Sequence, residues 1–505
     1  MILSKYTLKN INPEAAVVPE ESLFELPEKV LQFGTGVLLR GLPDYFIDKA
    51  NRQGLFNGRI VVVKSTSHGD TSAFDKQDGL YTLCVRGLVN GEKVEENIIN
   101  SSISRVINAQ EQWEQILECA HNQAMQVIIS NTTEVGIQLV NEDIRKHPPT
   151  SFPGKLLAFL YERFTAFGGS EHSGMIIIPT ELIPDNGKKL EAIILELAHL
   201  NSLDDAFIEW LECCNHFCNS LVDRIVPGKP EPAVLADLES KLGYKDELIT
   251  MSEVYRLWAI EGDETVKNIL SFAQADEGVI ITEDIDLYRE LKLRLLNGTH
   301  TLSCGAAYLS GFTTVKEALD NNAFYTFVAR LMQEEIAPSI PYKIDPIVAK
   351  EFSAKVLDRF RNPHLKHNWI SITVQYTSKL KLRCIPLLQR HYEQQDHAPT
   401  LMALGFAAYL EFMKPVSEKG GKFYGEKDGV PYEIVDDKAE YFYKKGQSLI
   451  GTALSMEILK NASVWGIDLT LLPHFAEAVL QHQKEMQQSG MVKTLETIQL
   501  KKEMV

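Results

Sequence analysis

The chain has 505 residues, of which 45% are hydrophobic and 24% are charged. This composition is that of a globular protein and excludes the collagen-like, coiled-coil and disordered classes. The formal net charge of −17 argues against nucleic acid and anionic membranes as partners, because both carry negative charge themselves. One hydrophobic core rarely grows beyond about 300 residues, so the length predicts two domains.

The N-terminal residues MILSKYTLKNINPEAAVVPEE contain no apolar run of the kind found in a signal peptide. No later apolar run reaches the length needed to span a membrane. The seven cysteines are sparse and odd in number, which fits a reducing compartment. We therefore expect a cytoplasmic protein that is not inserted in a membrane.

The first half of the chain alternates between strand-like and helix-like segments. Short apolar runs rich in β-branched residues predict buried strands at KVLQF (29–33), GRIVVVKS (58–65), MQVIIS (125–130) and SGMIIIP (173–179). Apolar residues at helical spacing predict helices at residues 37–54, 109–122 and 153–168. Strands that alternate with helices indicate a parallel sheet covered on both faces.

The pattern changes after about residue 270. Long amphipathic segments then predict helices at residues 287–310, 323–337, 346–360, 366–380, 400–414 and 469–488. The stretch EKGGKFYGEKDGVPYEIVDD (418–437) is rich in glycine and charge, so we expect an exposed loop there.

A glycine-rich turn follows the first predicted strand. The sequence VLQFGTGVLLRG places Gly34 and Gly36 between that strand and a helix, where glycine permits a tight turn and a helix N-terminus can receive a pyrophosphate. The third glycine of G-x-G-x-x-G is absent, and an ordinary strand–turn–helix connection is the alternative. The surrounding β-α alternation favours an α/β Rossmann-type N-terminal domain over residues 1–275, with a mainly α-helical C-terminal domain over residues 276–505.

The cofactor would contact this turn and the turn SNTTEVG (130–136), because loops at the carboxyl ends of parallel strands line the ligand crevice. A helix N-cap is a second interpretation of SNTTEVG, and both can hold together. The candidate cofactor-binding residues are Phe33, Gly34, Thr35, Gly36, Val37, Arg40, Asn131 and Thr132. The second strand ends in Lys64 and Ser65 rather than in an acidic residue, so this position leaves NAD and NADP open.

The segment ELKLRLLNGTH (290–300) holds Lys292, Asn297 and His300 among leucines. On an α-helix His300 lies about 80° from Lys292, and Asn297 about 60° beyond it, so one broad face can carry all three. The alternative is a lysine that reaches to solvent and a histidine that is hydrogen-bonded in the core. For any one of these residues that alternative is favoured, but burying three unexplained polar side chains together is costly.

The spacing K-x4-N-x2-H of these residues resembles that of the mannitol dehydrogenase family, the long-chain polyol dehydrogenases and reductases. The turn G-x-G-x3-R, DRIVP (223–227) and FRNP (360–363) resemble three further elements of that family, and the resemblance spans roughly residues 30–380. It implies reversible hydride transfer between NAD and a carbonyl carbon without a metal. Lys292 would then be the general acid and base, and Asn297 and His300 would hydrogen-bond the substrate oxygen.

Several stretches, among them QDGLYT (77–82) and FRNPHLKH (360–367), resemble family members that act on sugar acids, which implies a small anionic substrate. The candidate substrate-binding residues are Asp223, Arg361, His364, His367 and Lys379. A salt bridge to Arg224 or Lys229 is an equal alternative for Asp223, and a solvated cation is the favoured interpretation of Lys366. Ser371 stands where polyol enzymes of the family carry an arginine, so the carboxylate contact is left unidentified.

Two other interpretations deserve comparison. The stretch ECCNHFC (212–218) could suggest zinc, but Cys214 and Cys218 are four residues apart on a predicted helix without a second ligand pair, so we expect structural thiols and no metal.

A nucleotide-binding regulatory protein that has lost catalysis is a rival of a different class, and intact Lys292, Asn297 and His300 argue against it. We expect a monomer or a small homo-oligomer.

Overall fold

The computed structural model describes residues 1–66, 70–132 and 136–503. The chain divides into two units, of which unit 1 comprises Met1–Gly87 with Lys93–Ile285, and unit 2 comprises Leu88–Glu92 with Asp286–Val505.

Unit 1 contains most of the strands of the chain. In chain order they are β1 (Glu28–Phe33), β2 (Arg59–Lys64), β3 (Tyr81–Val89), β4 (Glu92–Asn100), β5 (Ile103–Asn108), β6 (Val127–Ser130), β7 (Ile176–Pro179), β8 (His216–Phe217), β9 (Ser220–Asp223), β10 (Thr250–Glu253), β11 (Leu257–Glu261) and β12 (Val279–Thr282). Six of them form one parallel sheet in the order β5-β2-β1-β6-β7-β8. Counted by chain position this order is 3-2-1-4-5-6, which is that of Rossmann dinucleotide-binding domains.

The four predicted strands of unit 1 are confirmed as β1, β2, β6 and β7. Successive residues of a strand point to opposite faces, and both faces of this sheet are buried. Leu31 and Phe33 of β1 belong to one apolar cluster, whereas Val30 belongs to another. All six residues of β2 are buried, which explains its continuous apolar sequence.

The helices of unit 1 are α1 (Val37–Gly41), α2 (Pro43–Arg52), α3 (Ser72–Lys76), α4 (Trp113–Ala120), α5 (Phe152–Ala166), α6 (Asn186–Leu200), α7 (Asp205–Cys214), α8 (Pro232–Leu242) and α9 (Glu264–Ile269). Helices α4 and α5 confirm two predictions. The single helix predicted over residues 37–54 is wrong, because Pro43 begins a new helix. Proline lacks the N–H that a helix interior needs, and it favours the first helical position.

Two smaller sheets of unit 1 escaped sequence analysis. Their strand orders are β10-β3-β4 and β12-β11-β9. Strand β12 runs parallel to β11 and pairs with it over four residues, so it is part of unit 1. The domain boundary after residue 275 stays a prediction.

Unit 2 is largely helical. Its α-helices are α10 (Asp286–Glu290), α11 (Thr299–Leu309), α12 (Val315–Asp320), α13 (Asn322–Arg330), α14 (Pro346–Phe360), α15 (Trp369–Ile372), α16 (Tyr376–Gln394), α17 (Thr400–Phe412), α18 (Ala439–Gly446), α19 (Gly451–Lys460), α20 (Ala462–Trp465) and α21 (Phe475–Glu503). Two π-helical segments, Leu291–Gly298 and Leu331–Ile336, interrupt this pattern. Within the described ranges, no helix combines the length and apolar character needed to cross a membrane.

The exposed loop predicted over residues 418–437 is wrong. A three-stranded antiparallel sheet occupies this stretch, formed by β13 (Ser417–Lys419), β14 (Lys422–Lys427) and β15 (Val430–Ile434). Both connecting turns have two central residues with positive φ, Gly420–Gly421 and Asp428–Gly429. Such pairs favour tight hairpin turns, so the glycines that suggested a loop lie in the turns of two β-hairpins instead.

A buried carboxyl group in α2 should make the stability of unit 1 depend on pH. Burial raises the pKa of Asp44 to about 8, although a hydrogen bond from Gln32 and the charge of Arg40 both act to lower it. The folded chain then keeps a proton that the unfolded chain releases near pH 4, so stability falls as pH rises from about 4 to about 8. Between pH 5 and pH 8 the original chain should lose on the order of 1–4 kcal/mol of its free energy of unfolding. We expect this loss to be absent in Asp44→Asn.

Thermal unfolding at several pH values checks this prediction. The exposed Asp237→Asn serves as the matched control, because its carboxylate only pairs with Lys241 at the surface. Equal Tm–pH curves for Asp44→Asn and the original chain would contradict it.

Candidate functional site

The turn between β1 and α1 lies where the strand order of the parallel sheet reverses, between β1 and β6. Gly34 has a φ of +133°, and a Cβ there would lie 2.9 Å from the Cδ1 of Leu39 and 3.0 Å from the carbonyl oxygen of Asn131. Glycine is therefore required at this position. A Cβ on Gly36 would meet nothing within 4 Å, so the backbone at Gly36 is open to a ligand.

The turn after β6 is fixed by the loop after β7. The side-chain amide of Asn131 donates to the hydroxyl of Thr180 at 3.0 Å, and the backbone N–H and hydroxyl of Thr132 donate to the Oε1 of Glu181 at 2.7 and 2.9 Å. These contacts hold two candidate cofactor residues at the switch point of the sheet. Residues 133–135 of the predicted turn lie outside the described residues.

Arg40 has contacts within unit 1 that sequence analysis did not foresee. Its guanidinium donates to the carbonyl oxygen of Leu248 at 2.5 Å and lies over the ring of Tyr81 at 5.6 Å. The hydroxyl of Tyr81 in turn donates to the carbonyl oxygen of Arg40 at 2.8 Å. These contacts give Arg40 a structural role, and its role as a cofactor contact stays a prediction.

Lys292 and Asn297 lie in the π-helical segment Leu291–Gly298, so the α-helical angles predicted for this segment are wrong. An α-helix would separate residues five apart by about 140°. A π-helix instead bonds residue i to residue i+5, which brings Lys292 and Asn297 to the same side of the segment. Such segments are rare and concentrate at functional sites.

A buried arginine holds this π-helical segment against α16. Arg294 pairs with Glu290 at 2.8 Å and donates to the carbonyl oxygens of Leu382 and Arg383, both at 2.8 Å. Pro386 lies inside α16 and has no N–H, so the carbonyl of Leu382 lacks its helical donor. Arg294 supplies the missing hydrogen bond and fixes the segment that carries Lys292 and Asn297.

His300, in the first turn of α11, sits among aromatic side chains. Its ring stacks on Phe360 with centroids 4.0 Å apart and an interplanar angle of 14°. The rings of His367 and Trp369 face it edge-on at 5.3 and 6.0 Å. The buried Nε2 of His300 has no hydrogen-bond partner among the described residues, so this atom can hydrogen-bond a ligand or a water molecule.

The surroundings of His300 keep its imidazole neutral. Burial lowers the pKa of His300 well below its ordinary value, and four nearby basic groups lower it further. These groups are His367, Arg359, Arg383 and Lys379. A neutral imidazole offers one donor and one acceptor, so His300 can hydrogen-bond a substrate oxygen without carrying a charge itself.

The structure brings two of the predicted substrate residues of unit 2 close to His300. Burial lowers the pKa of His367 and of Lys379, and both groups act on the titration of His300. Arg361 and His364 are exposed instead, and the guanidinium of Arg361 lies 5.7 Å from the ring centre of Tyr325. The substrate roles of all four stay predictions.

Sequence analysis missed two arginines of this site, Arg359 and Arg383. Arg383 donates through Nη1 to the carbonyl oxygen of Asn297 at 3.3 Å and to the hydroxyl of Thr301 at 3.0 Å. Its spacing of four residues from Lys379 on one helix was the available signal. Positive groups therefore gather beside the K-x4-N-x2-H residues of a chain whose net charge is −17.

Asp223 lies at the end of β9 in unit 1 and is buried. Its neighbour Arg224 donates to the carbonyl oxygens of Glu253 at 2.9 Å and Gly41 at 2.6 Å, and lies over the ring of Tyr45. Arg224, the arginine of DRIVP, therefore links β10 to α1 through these two hydrogen bonds. The substrate role of Asp223 stays a prediction.

The cysteine-rich stretch does not lie on one helix, as sequence analysis had assumed. Cys214 ends α7, whereas Cys218 follows β8, because Asn215 turns the chain out of the helix with extended backbone angles. Within residues 1–66, 70–132 and 136–503, no three His, Cys, Asp or Glu side chains are grouped so that they could hold a metal ion.

Comparison with known proteins identifies two matching family models. The mannitol dehydrogenase Rossmann domain matches residues 28–273, and the mannitol dehydrogenase C-terminal domain matches residues 284–487.

Curated relatives match nearly the whole chain. An altronate oxidoreductase of Bacillus subtilis is 37% identical over 94% of this chain and 95% of its own length. One of Halalkalibacterium halodurans is 36% identical over 92% of both chains. Among solved structures, Pseudomonas fluorescens mannitol 2-dehydrogenase in a ternary complex with NAD and D-mannitol has a TM-score of 0.67 at 22% identity, covering 99% of this chain and 100% of its own. A D-sorbitol dehydrogenase in substrate-free form has a TM-score of 0.76 at 18% identity, covering 98% and 100%. These structural likenesses support the fold.

The two glycines of the first turn should respond differently to alanine. Gly34→Ala should lose about 2 kcal/mol of stability, because the backbone angle and the carbonyl of Asn131 both exclude a Cβ. Gly36→Ala should leave the Tm unchanged, yet weaken NADH binding by about tenfold, because its methyl group occupies the open space at the backbone. Thermal unfolding and NADH fluorescence titration check the pair. Unchanged NADH affinity in Gly36→Ala would contradict a cofactor site at this turn.

The hydrogen bonds of Arg294 can be tested by a double-mutant cycle. Arg294→Lys should cost about 1–3 kcal/mol, since one ammonium cannot replace the bonds to Glu290 and to two carbonyls. Pro386→Ala restores an N–H for the carbonyl of Leu382, so the double variant should lose less than Arg294→Lys alone. Chemical or thermal unfolding measures the coupling. Arg390→Lys, at an exposed position of α16, is the control, and strictly additive losses would contradict the interpretation.

Proposed function

The chain belongs to the mannitol dehydrogenase family, and from that premise we propose that it is an NAD-dependent altronate oxidoreductase, also called tagaturonate reductase. It would interconvert D-altronate with NAD+ and D-tagaturonate with NADH and H+. The name is carried by relatives that are 34–37% identical over at least 92% of this chain. The observation in the molecule that favours it most is the cluster of positive groups around a neutral His300.

The residues of unit 1 fit a dinucleotide. Gly34 allows the close turn, Gly36 leaves the backbone open, and Asn131 is held at the switch point of a sheet with Rossmann strand order. We propose that these residues, with Phe33, Thr35, Val37, Arg40 and Thr132, hold NAD. The chemistry that bound NAD supplies is reversible hydride exchange with the carbon that carries the reacting oxygen.

Residues of unit 2 would transfer the proton and stabilise the negative charge that develops on the reacting oxygen. Lys292 would take the proton of the altronate hydroxyl during oxidation and return it to the oxygen during reduction. Asn297, on the same side of the π-helical segment, and the neutral His300 would donate hydrogen bonds to that oxygen as negative charge develops on it. Because the pKa of His300 lies well below its ordinary value, the imidazole can donate a hydrogen bond to the oxygen without taking up the proton that Lys292 would transfer.

The charge of the site favours a sugar acid over a neutral polyol. Three of the groups that act on His300, Arg359, Arg383 and Lys379, are cations, whereas the chain as a whole has 17 more acidic than basic side chains. A carboxylate would be attracted to this region and repelled elsewhere. A neutral sugar would gain no comparable attraction from this cluster.

Three other functions remain as outcomes of experiment. Fructuronate reductase and mannitol dehydrogenase activities belong to the same family chemistry, and a catalytically inactive NAD-binding regulatory protein represents a different class. We also place the enzyme in the cytoplasm, since all seven cysteines are free.

A substrate screen and a Lys292→Ala variant test the proposal together. NADH oxidation is followed with D-tagaturonate, D-fructuronate and D-fructose, and the reverse reaction with D-altronate and D-mannitol. The original chain should show its highest kcat/KM on the altronate–tagaturonate pair. Lys292→Ala should lose about 1,000-fold in kcat while binding NADH normally, because general acid–base catalysis is removed and the cofactor turn is untouched.

The exposed Lys381→Ala is the control for loss of a lysine. Highest kcat/KM on another substrate pair would assign the chain to a sister activity. Binding of NADH without turnover on any substrate would support the regulatory alternative. Near-normal rates in a folded Lys292→Ala would remove Lys292 from proton transfer.

A further inference from the structure

Arg383 is a half-buried arginine whose hydrogen-bonding capacity is mostly unused. Its Nη1 donates to the carbonyl oxygen of Asn297 at 3.3 Å and to the hydroxyl of Thr301 at 3.0 Å. Its Nε and Nη2 have no hydrogen-bond partner, and no carboxylate lies within ion-pair distance, among the residues that the structure describes. A guanidinium has five N–H donors, so most of its fork is available to a ligand.

Arg163 and Arg294, two buried arginines of the chain, are satisfied in a different way. Arg163 uses Nε, Nη1 and Nη2 to donate to four carbonyl oxygens, and Arg294 pairs with Glu290 in addition to two carbonyls. Arg256 pairs with Asp276. Burial also lowers the pKa of Arg383, which records the cost of holding this charge away from water. A charge held at such a cost is expected to have a partner.

The neighbourhood of Arg383 adds a second cation. Lys379 lies one turn earlier on α16, and the hydrogen bond of its ammonium is to the carbonyl oxygen of Ile372 at 3.0 Å. Burial and, in addition, the charge of Arg383 lower the pKa of Lys379, and both side chains act on His300. The acidic group that acts on Lys379, Asp436, already accepts the backbone N–H of Thr377 at 2.7 Å. The two cations are therefore left largely uncompensated.

We infer that Arg383, assisted by Lys379, binds the carboxylate of the substrate and is the residue that makes the enzyme specific for sugar acids; this rests on the proposed function. The planar fork of a guanidinium matches the two oxygens of a carboxylate, whereas an ammonium acts as a point charge. The contact of Arg383 with Asn297 and Thr301 fixes the fork next to the residues that hold the reacting oxygen. One end of a sugar acid would then be anchored while its carbinol carbon meets Lys292.

Binding to the NADH-saturated enzyme isolates this contact from turnover. Calorimetry with D-altronate on the NADH complex should show about a 100-fold loss of affinity for Arg383→Gln, because a charge-assisted bidentate contact is removed. Arg383→Lys keeps the charge but not the fork, so it should lose about tenfold. Lys381→Gln, an exposed position of the same helix, is the matched control and should bind as the original chain does.

A purely structural role for Arg383 would give a different result. Since Arg383 also contacts Asn297, a structural role would lower kcat/KM for acidic and neutral substrates in parallel. If Arg383 binds the carboxylate, Arg383→Gln should lower kcat/KM for D-tagaturonate. Its kcat/KM for D-fructose, measured at high enzyme concentration, should stay within about threefold of the value for the original chain.

The outcomes separate this inference from the proposed function. The role of Arg383 would be overturned if a folded Arg383→Gln bound D-altronate within twofold of the original chain. It would also be overturned if kcat/KM fell in parallel for the sugar acid and the neutral ketose. In both cases the proposed function would stand. If the original chain neither binds D-altronate nor reduces any keto sugar acid, the proposed function fails and the role of Arg383 falls with it.

Discussion

Arg294 connects the two elements on which the site of unit 2 depends. Proline at 386 leaves the carbonyl of Leu382 without a helical donor, and Arg294 fills that gap from within the π-helical segment. The same side chain pairs with Glu290 and is almost fully buried, so it cannot leave without exposing unsatisfied groups. The register of Lys292 and Asn297 against α16 is set by this interaction.

The π-helical turn gives the spacing of the motif a physical meaning. Lys292 and Asn297 are five positions apart. An α-helix would place two such residues on different sides, whereas a π-helix places them on one side. His300 follows where the α-helix resumes, and its ring is held by Phe360 and edge-on contacts. The proposed proton carrier and the amide share one side of the segment because the helix changes its hydrogen-bonding pattern here.

Electrostatics then decide what kind of molecule the site accepts. Burial, and then the cations near His300, lower its pKa, so the imidazole is a neutral hydrogen-bonding partner beside the charged arginine and lysine side chains. Burial of these cations in a strongly acidic chain is unfavourable without a ligand.

The sequence alone determined the parallel sheet, because continuous β-branched runs such as that of β2 and the glycine turn at Gly34 respond to local and short-range rules. It also identified Lys292, Asn297 and His300, because their spacing resembles a family pattern. It failed at residues 418–437, where turn glycines resemble loop glycines, and it assumed α-helical angles for Leu291–Gly298. Only the tertiary structure revealed Arg383 and the roles of Arg294 and Arg40, because their partners lie tens to hundreds of residues away and no local pattern encodes such contacts.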